Sequence, residues 1–236
     1  MEGLRRTNQQ GLEAMSDKEE RRARARELAA EFAERGDAVG WFDEFYKEAG
    51  GDNENIPWAD LEPNRFFKEW ADDRGLKGNG RTALVVGCGL GDDAKFLADL
   101  GFKVTAFDIS ATAIAWAKKL YSDAGIEFVA ADLFKPPSAW RGRFEFVLEI
   151  YTIQPLPMEI RPRVIDAVAE FVKPGGELVV VCRGREDNVE PEQLPWPLSR
   201  RDLSQFLKNG LQQIEFNAVW DDEDDQERFV VKYTRP

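Results

Sequence analysis

From residue 81 onward the chain alternates short, continuous apolar runs with stretches whose apolar residues recur every three or four positions. A continuous run reads as a strand buried on both faces, and the longer period as a helix with one buried face. The strands predicted in this way are Thr82–Val86, Phe102–Phe107, Ile126–Ala130, Phe144–Ile150 and Glu177–Cys182. Between them fall helices over Asp92–Leu100, from the cap Ser110 through Ile114, Ala117, Leu120 and Tyr121, and from about Met158 to Val172. Gly101 stops the first helix, and Lys173-Pro174-Gly175-Gly176 is a sharp stop before the fifth strand. A loop rich in charge and proline, 184–198, leads to a helix capped by Ser199. Two last strands, about Leu211–Trp220 and Glu227–Thr234, flank the turn Asp221-Asp222-Glu223-Asp224-Asp225. Strands joined through helices lie parallel, whereas two joined by a tight turn lie antiparallel. The expected architecture is therefore an α/β three-layer sandwich with a seven-stranded, mostly parallel sheet that closes in a C-terminal antiparallel hairpin. The acidic tip reads as a solvated turn that blocks edge pairing rather than as a metal site, because carboxylates on a flexible hairpin lack a preformed cage.

The first third of the chain has a different texture. Residues 1–15 are polar without period and read as a flexible terminus. Ser16 and Glu19 form a capping box for a charged helix over Lys18–Arg35, with Leu28 and Phe32 as its apolar stripe and Gly36 as its stop. Trp41, Phe42, Phe45 and Tyr46 recur at helical spacing, and Asn64–Asp73 is a further short helix carrying Phe66, Phe67 and Trp70. The expected division is a flexible terminus over 1–15, a helical cap over 16–79 and the sheet domain over 80–236.

Composition narrows the chemistry. The 236 residues are 43% hydrophobic, enough for one sizeable core. Lys and Arg number 32 against 44 Asp and Glu, a net charge of −12 without a basic stripe, which argues against nucleic acid as the main partner. With no histidine, Ser-His-Asp and Cys-His catalysis and histidine-ligated metals are excluded. Cys88 and Cys182 lie far apart in apolar contexts, so they have no metal-ligand or redox spacing and suit a reducing, cytoplasmic setting. No apolar run approaches the ~18 residues of a membrane span, and Met1 to Ala14 lacks the apolar stretch of a signal peptide. No metal and no membrane partner are expected, and the oligomeric state stays open.

The first strand runs directly into Gly87-Cys88-Gly89-Leu90-Gly91-Asp92-Asp93, a glycine turn opening a helix at the carboxyl end of a strand. This is the Rossmann-like position for a nucleotide ligand. A dinucleotide fingerprint spaces its glycines G-x-G-x-x-G, and here the sixth position is Asp92. Asp92 and Asp93 at the helix amino terminus would also repel a pyrophosphate. The favoured ligand therefore lacks phosphate and gains from a positive charge. Asp108 ends the second strand, where a carboxylate can accept both hydroxyls of a ribose, and Ile109 beside it can cover one face of an adenine. Asp132, in Ala130-Ala131-Asp132-Leu133, follows the third strand and can accept from the adenine amino group. Each acid alone is as readily a cap or turn residue; together, at successive strand ends, they point to an adenosine ligand.

On these residues the chain resembles the class I S-adenosylmethionine-dependent methyltransferases over roughly 80–236. Trp41, Pro57-Trp58, Tyr151-Thr152, Leu156-Pro157, Arg161, Pro174-Gly175-Gly176 and Pro195-Trp196-Pro197-Leu198-Ser199 are similar to the thiopurine, thiol and halide methyltransferase branch. Glu149-Ile150 before Tyr151 and the charged 184–198 loop depart from it. The resemblance implies that Gly87, Gly89 and Gly91 approach the methionine moiety, that Asp108 and Ile109 hold ribose and adenine, and that Asp132 and Leu133 complete the adenine site. Glu149 joins these donor-site residues, and Trp41 and Trp58 close over the donor; the alternative for both tryptophans is packing glue between cap and sheet.

The implied reaction is transfer of the sulfonium methyl to a small-molecule acceptor, leaving S-adenosylhomocysteine. A thiol, sulfide or halide comes first among acceptors, since such a nucleophile needs mainly alignment and a dry pocket. O- or N-methylation of a metabolite is the alternative and requires a base, for which Glu149 and Tyr151 are the catalytic candidates. A third reading is a non-catalytic S-adenosylmethionine-binding protein. Arg183 and Arg185 beyond the fifth strand either meet an acidic acceptor or belong to a solvated loop.

Overall fold

The computed structural model describes residues 2–236, with side chains from Lys18 onward. The chain divides into two compact units, residues up to Leu61 and Glu62–Pro236. In the first, helix α1 runs Glu2–Glu34 and α2 runs Gly40–Glu48. The helical backbone thus begins well before the capping box at Ser16, whose side chain, like the polar segment 1–15, lies outside the described side chains. Arg24 joins α1 to α2 by a forked pair of bonds to Glu48, Nε to Oε2 at 3.0 Å and Nη2 to Oε1 at 2.7 Å. Trp41, Phe45 and Tyr46 are buried on the inner face of α2.

The second unit starts at Glu62, not near residue 80, because α3 (Arg65–Asp73) belongs to the core of the sheet. Its amphipathic spacing buries Phe66, Phe67 and Trp70, and Phe67 stands edge-on to Phe96 at 5.8 Å. The Asn64 side chain caps α3, accepting the N–H groups of Phe66 and Phe67 at 3.1 Å each.

Then follow β1 (Thr82–Val86), α4 (Asp92–Asp99), β2 (Lys103–Asp108), α5 (Ala111–Leu120), β3 (Glu127–Ala130), β4 (Phe144–Ile150), α6 (Arg161–Glu170) and β5 (Val172–Arg183). Two short helices, α7 (Arg200–Leu203) and α8 (Gln205–Lys208), precede β6 (Gln212–Asp221) and β7 (Gln226–Thr234). The order across the sheet is β3-β2-β1-β4-β5-β7-β6, with β7 antiparallel to both its neighbours and every other pairing parallel. The expected seven-stranded sheet is present. One boundary differs: the Lys173-Pro174-Gly175-Gly176 stop lies inside β5 as an irregularity, between the pairs Phe144 with Val172 and Phe146 with Glu177.

Alternation along the strands builds two cores. Ala83, Val85, Phe146, Leu148, Val179 and Val181 face α3, α4 and α5. The opposite parity faces α6 to α8, where Phe206 packs on Tyr233 at 4.9 Å. The parallel strands β1 to β5 end along one edge, where the loops carrying polar chemistry are brought together.

Candidate functional site at the carboxyl edge of the sheet

Three left-handed residues bend the chain after β1: Gly87 at φ 60°, Gly89 at φ 52° and Gly91 at φ 95°. A Cβ on Gly87 would lie 2.3 Å from Thr152 Oγ1, and one on Gly91 would lie 2.7 Å from the Phe128 ring. Two of the three glycines are therefore demanded by the protein's own packing as well as by any ligand. Thr152 is locked over the turn because its hydroxyl donates to the Val86 carbonyl at 2.9 Å.

Asp108, nearly buried, ties this turn to the end of β2. Its Oδ2 accepts the N–H of Gly89 at 2.9 Å, and its Oδ1 accepts that of Ser110 at 2.9 Å. The Cys88 N–H donates to the Phe107 carbonyl, also at 2.9 Å. Both carboxylate oxygens thus have fixed directions. Ile109 beside it is 37% exposed, an apolar surface at the edge. The loop after β3 joins the same place, since the Ala131 N–H donates to the Asp108 carbonyl at 2.9 Å. Asp132 turns that loop by accepting the Phe134 N–H at 2.8 Å, and Leu133 is half-buried.

Gly91 is the N-cap of α4, and Asp92 and Asp93 fill its first turn. Asp92 accepts the Tyr121 hydroxyl, and Asp93 Oδ1 accepts the Asn64 backbone N–H at 2.8 Å. Burial first, then the charge of Asp92, pushes the Asp93 carboxyl up to about 7 against its bond from Asn64. A helix start built on two acids is a poor phosphate site and a good neighbour for a cation.

At the end of β4, Glu149 has no exposed surface. Its Oε1 accepts the N–H groups of Thr152 at 2.7 Å and Ile153 at 3.0 Å, closing the turn, while Oε2 has no hydrogen-bond partner among the described residues. Burial pushes this carboxyl up to about 7, against the two backbone bonds. Tyr151, which follows at φ 58°, is half-buried and anchors its N–H on the Val181 carbonyl at 3.0 Å. Burial raises its phenol; Arg228, Asn64 and Arg183 act in the opposite direction.

At the acidic hairpin Asp222, Glu223 and Asp225 are exposed, as expected of a solvated turn, but Asp221 and Asp224 fold inward. Asp221, 4% exposed, pairs with Arg65 and with Arg228 at 2.7 Å, and Asp224 pairs with Arg183 at 2.8 Å and with Arg228. Charged tip residues fold back because Arg228, on the inner face of β7, must be neutralised where it is buried. Arg183 and Arg185 differ from the solvated alternative as well. Arg185 spans the 184–198 loop, from the Pro197 carbonyl at 3.0 Å to Asp202 Oδ2 at 3.0 Å. Arg161, 2% exposed, reaches the same Asp202 oxygen at 3.0 Å and the Trp196 carbonyl at 2.9 Å. Ser199 and Asp202 form a capping box on α7. Motifs scattered over the sequence, Arg161, Trp196-Pro197 and Ser199, are thus one bonded unit.

Trp41 and Trp58 lie in the first unit, edge to face with ring centroids 6.3 Å apart. Trp41 is buried against Phe42; Trp58 is 42% exposed and its Nε1 donates to the Tyr46 hydroxyl at 2.9 Å.

Residues 83–176, spanning the glycine turn, Asp108, Asp132, Glu149 and Tyr151, match the family described as Methyltransferase domain. Over those residues the chain is similar to a methyltransferase domain. The sheet order and the C-terminal hairpin match the Rossmann-like methyltransferase fold. Among similar proteins, thiocyanate methyltransferase 1 of Arabidopsis thaliana is 31% identical over 143 residues, 58% of this chain and 59% of that relative. N-methyltransferase verN of Clonostachys rogersoniana is 30% identical over 116 residues, 45% of this chain and 40% of that relative. The matches span less than two thirds of either protein. The N-methyltransferase NodS from Bradyrhizobium japonicum WM9, solved with S-adenosylhomocysteine, has the same fold at TM-score 0.62 and 18% identity, over 82% of this chain and 97% of that one.

Sequence reasoning about the methyltransferase domain missed Asn64, Arg228 and the holding role of Thr152. A helix cap before Phe66 and an arginine inside an apolar strand were visible signals, but neither says what the side chain meets.

Proposed function

We propose that this protein transfers a methyl group from S-adenosylmethionine to a small-molecule acceptor. The observation that carries the reading is Asp108, fixed by Gly89 and Ser110 at the mouth of a glycine turn whose helix begins with two acids. These residues fit a cationic nucleoside. Asp108 would take the ribose, Ile109 and Leu133 the adenine faces, Asp132 the adenine amino group, and the turn at Gly87, Gly89 and Gly91 the methionine portion. When bound, the donor supplies a methyl on a sulfonium, already activated for attack. The residues of this chain then have to orient the acceptor and keep water out.

A thiol, sulfide or halide acceptor is favoured over a hydroxyl or amine. Glu149 is sealed beneath its own turn and Tyr151 is kept as a neutral phenol by burial, so an acceptor that arrives as an anion suits this edge better than one that must lose a proton there. Similarity to a thiocyanate methyltransferase supports the same class. In this reading Glu149 is a positioning residue.

The test is calorimetric titration with S-adenosylhomocysteine, followed by transfer of labelled methyl to a panel of thiocyanate, iodide, simple thiols, phenols and amines. Binding at micromolar concentration and transfer to the sulfur or halide members is expected. Transfer confined to amines or phenols would move the acceptor class, and donor binding without transfer to any member would make the protein a non-catalytic binder.

A further inference from the structure

Gln154 stands in the loop that follows β4 and is only 4% exposed. Its Oε1 accepts the backbone N–H of Arg183, the last residue of β5, at 2.9 Å. Only the oxygen of an amide can meet an N–H, so this bond settles which end of the side chain is which and leaves the NH2 turned the other way. That NH2 donates to nothing among the described residues. The backbone is held as firmly, since the Gln154 carbonyl accepts the N–H of Trp196, in the 184–198 loop, at 2.9 Å. A donor group placed this deep and left unspent costs the fold free energy unless something else takes its protons.

Its place in the sheet says what that something is. The order runs β3-β2-β1-β4-β5, so Asp108 and Asp132 lie on one side of the glycine turn after β1, and Gln154, joining the ends of β4 and β5, lies on the other. Thr152, two residues before it, is bonded to the Val86 carbonyl and packs on Gly87. A donor with its ribose at Asp108 and its methionine portion along the turn leaves the side of β4 and β5 for the molecule that receives the methyl.

We propose that Gln154 is an acceptor-binding residue whose NH2 donates to a small anionic methyl acceptor. Because the amide oxygen is already taken by Arg183, the side chain has donors to offer and no acceptor. It therefore holds an anion through a lone pair and gives no partner to an ammonium, which brings only donors. The inference rests on the methyl-transfer reading above. No proton moves to or from Gln154; it orients the anion.

The experiment titrates thiocyanate, as probe anion, at pH 8 into the protein saturated with S-adenosylhomocysteine, for wild type, Gln154→Glu and Gln154→Met. Gln154→Glu keeps an oxygen for the Arg183 N–H and exchanges the donor for a second acceptor, whereas Gln154→Met keeps the length and removes both. Each variant is expected to bind thiocyanate roughly 10- to 100-fold more weakly, the range for a hydrogen bond to a charged group, with S-adenosylhomocysteine affinity unchanged within twofold. With thiocyanate as acceptor, KM should rise more than kcat falls. Undiminished thiocyanate affinity in Gln154→Glu overturns the proposal, even where Gln154→Met binds weakly, because the loss then follows the Arg183 bond alone. A wild-type complex that binds S-adenosylhomocysteine but not the anion overturns it too. Failure to bind S-adenosylhomocysteine at all would instead overturn the methyl-transfer reading. Should Gln154→Met not fold, Gln154→Glu still decides.

Discussion

Asp93 accepts the backbone N–H of Asn64 at 2.8 Å, joining the first turn of α4 to the cap of α3. The bond couples the helix that follows the glycine turn to the core helix α3. It also leaves a carboxyl pushed up to about 7 by burial. In the unfolded chain the same group titrates near ~4, so between about 4 and 7 the folded protein keeps a proton that the unfolded chain has lost. Its contribution to stability is full below about pH 4, declines as pH rises to about 7, and changes no further above. Asp93→Asn keeps an oxygen for the Asn64 N–H and removes the titration. Melting temperatures of variant and wild type should diverge in the variant's favour from pH 4 to 7 and run parallel above it; a pH-independent difference would sink this account.

Asp108 fixes the turn from below and is proposed to meet the ribose from above. Asp108→Ala removes a charged acceptor, so S-adenosylhomocysteine affinity should fall roughly 10- to 100-fold. Asp108→Asn, which retains one acceptor oxygen, should fall less. Isothermal titration of the three proteins checks the order, and equal affinities would remove Asp108 from the donor site.

Glu149 separates a structural role from a catalytic one. Glu149→Gln keeps an oxygen for the Thr152 and Ile153 N–H groups and should leave methyl transfer within a few-fold of wild type. Glu149→Ala orphans both N–H groups, each worth about 1–3 kcal/mol when left buried and unpaired. Thermal unfolding and initial rates on the same preparations distinguish the two. If Glu149→Gln folds normally and transfers nothing, the carboxyl is a base after all.

Gly87 and Gly142 have nearly the same backbone, φ 60° and φ 58°, but different surroundings. Nothing lies within 4 Å of a Cβ on Gly142, whereas one on Gly87 would strike Thr152 Oγ1. Gly142→Ala should therefore lose only the left-handed strain of about 1–2 kcal/mol. Gly87→Ala should lose clearly more, and Gly87→Ala with Thr152→Ala should recover part of the difference. Chemical denaturation of the four proteins measures it; equal losses at Gly87 and Gly142 would mean that Thr152 yields freely.

Strand and helix order was legible because it depends on near neighbours in the chain. Continuous apolar runs announce buried strands, and Gly101, Ser110 and Ser199 mark helix ends through bonds made within a few residues. The turn at Gly87, Gly89 and Gly91 and the acids at Asp108 and Asp132 were legible for the same reason, each following its own strand. Parity also placed Glu149 and Tyr151 at the end of β4. It did not tell which of them would be sealed and which half-open, because that depends on what covers the edge.

What the tertiary structure decided is the set of long-range polar pairings. Arg228 draws Asp221 and Asp224 inward, so two acids of a run whose other three are exposed become an internal clamp. Arg161 and Arg185 meet on Asp202 although they belong to different segments. Asn64, at the start of a short helix and outside the glycine turn in sequence, comes to rest against Asp93. A charged side chain in a sequence carries no record of its partner: the partner is chosen when burial makes an unpaired charge too costly, and only the packed sheet determines which charges are buried together.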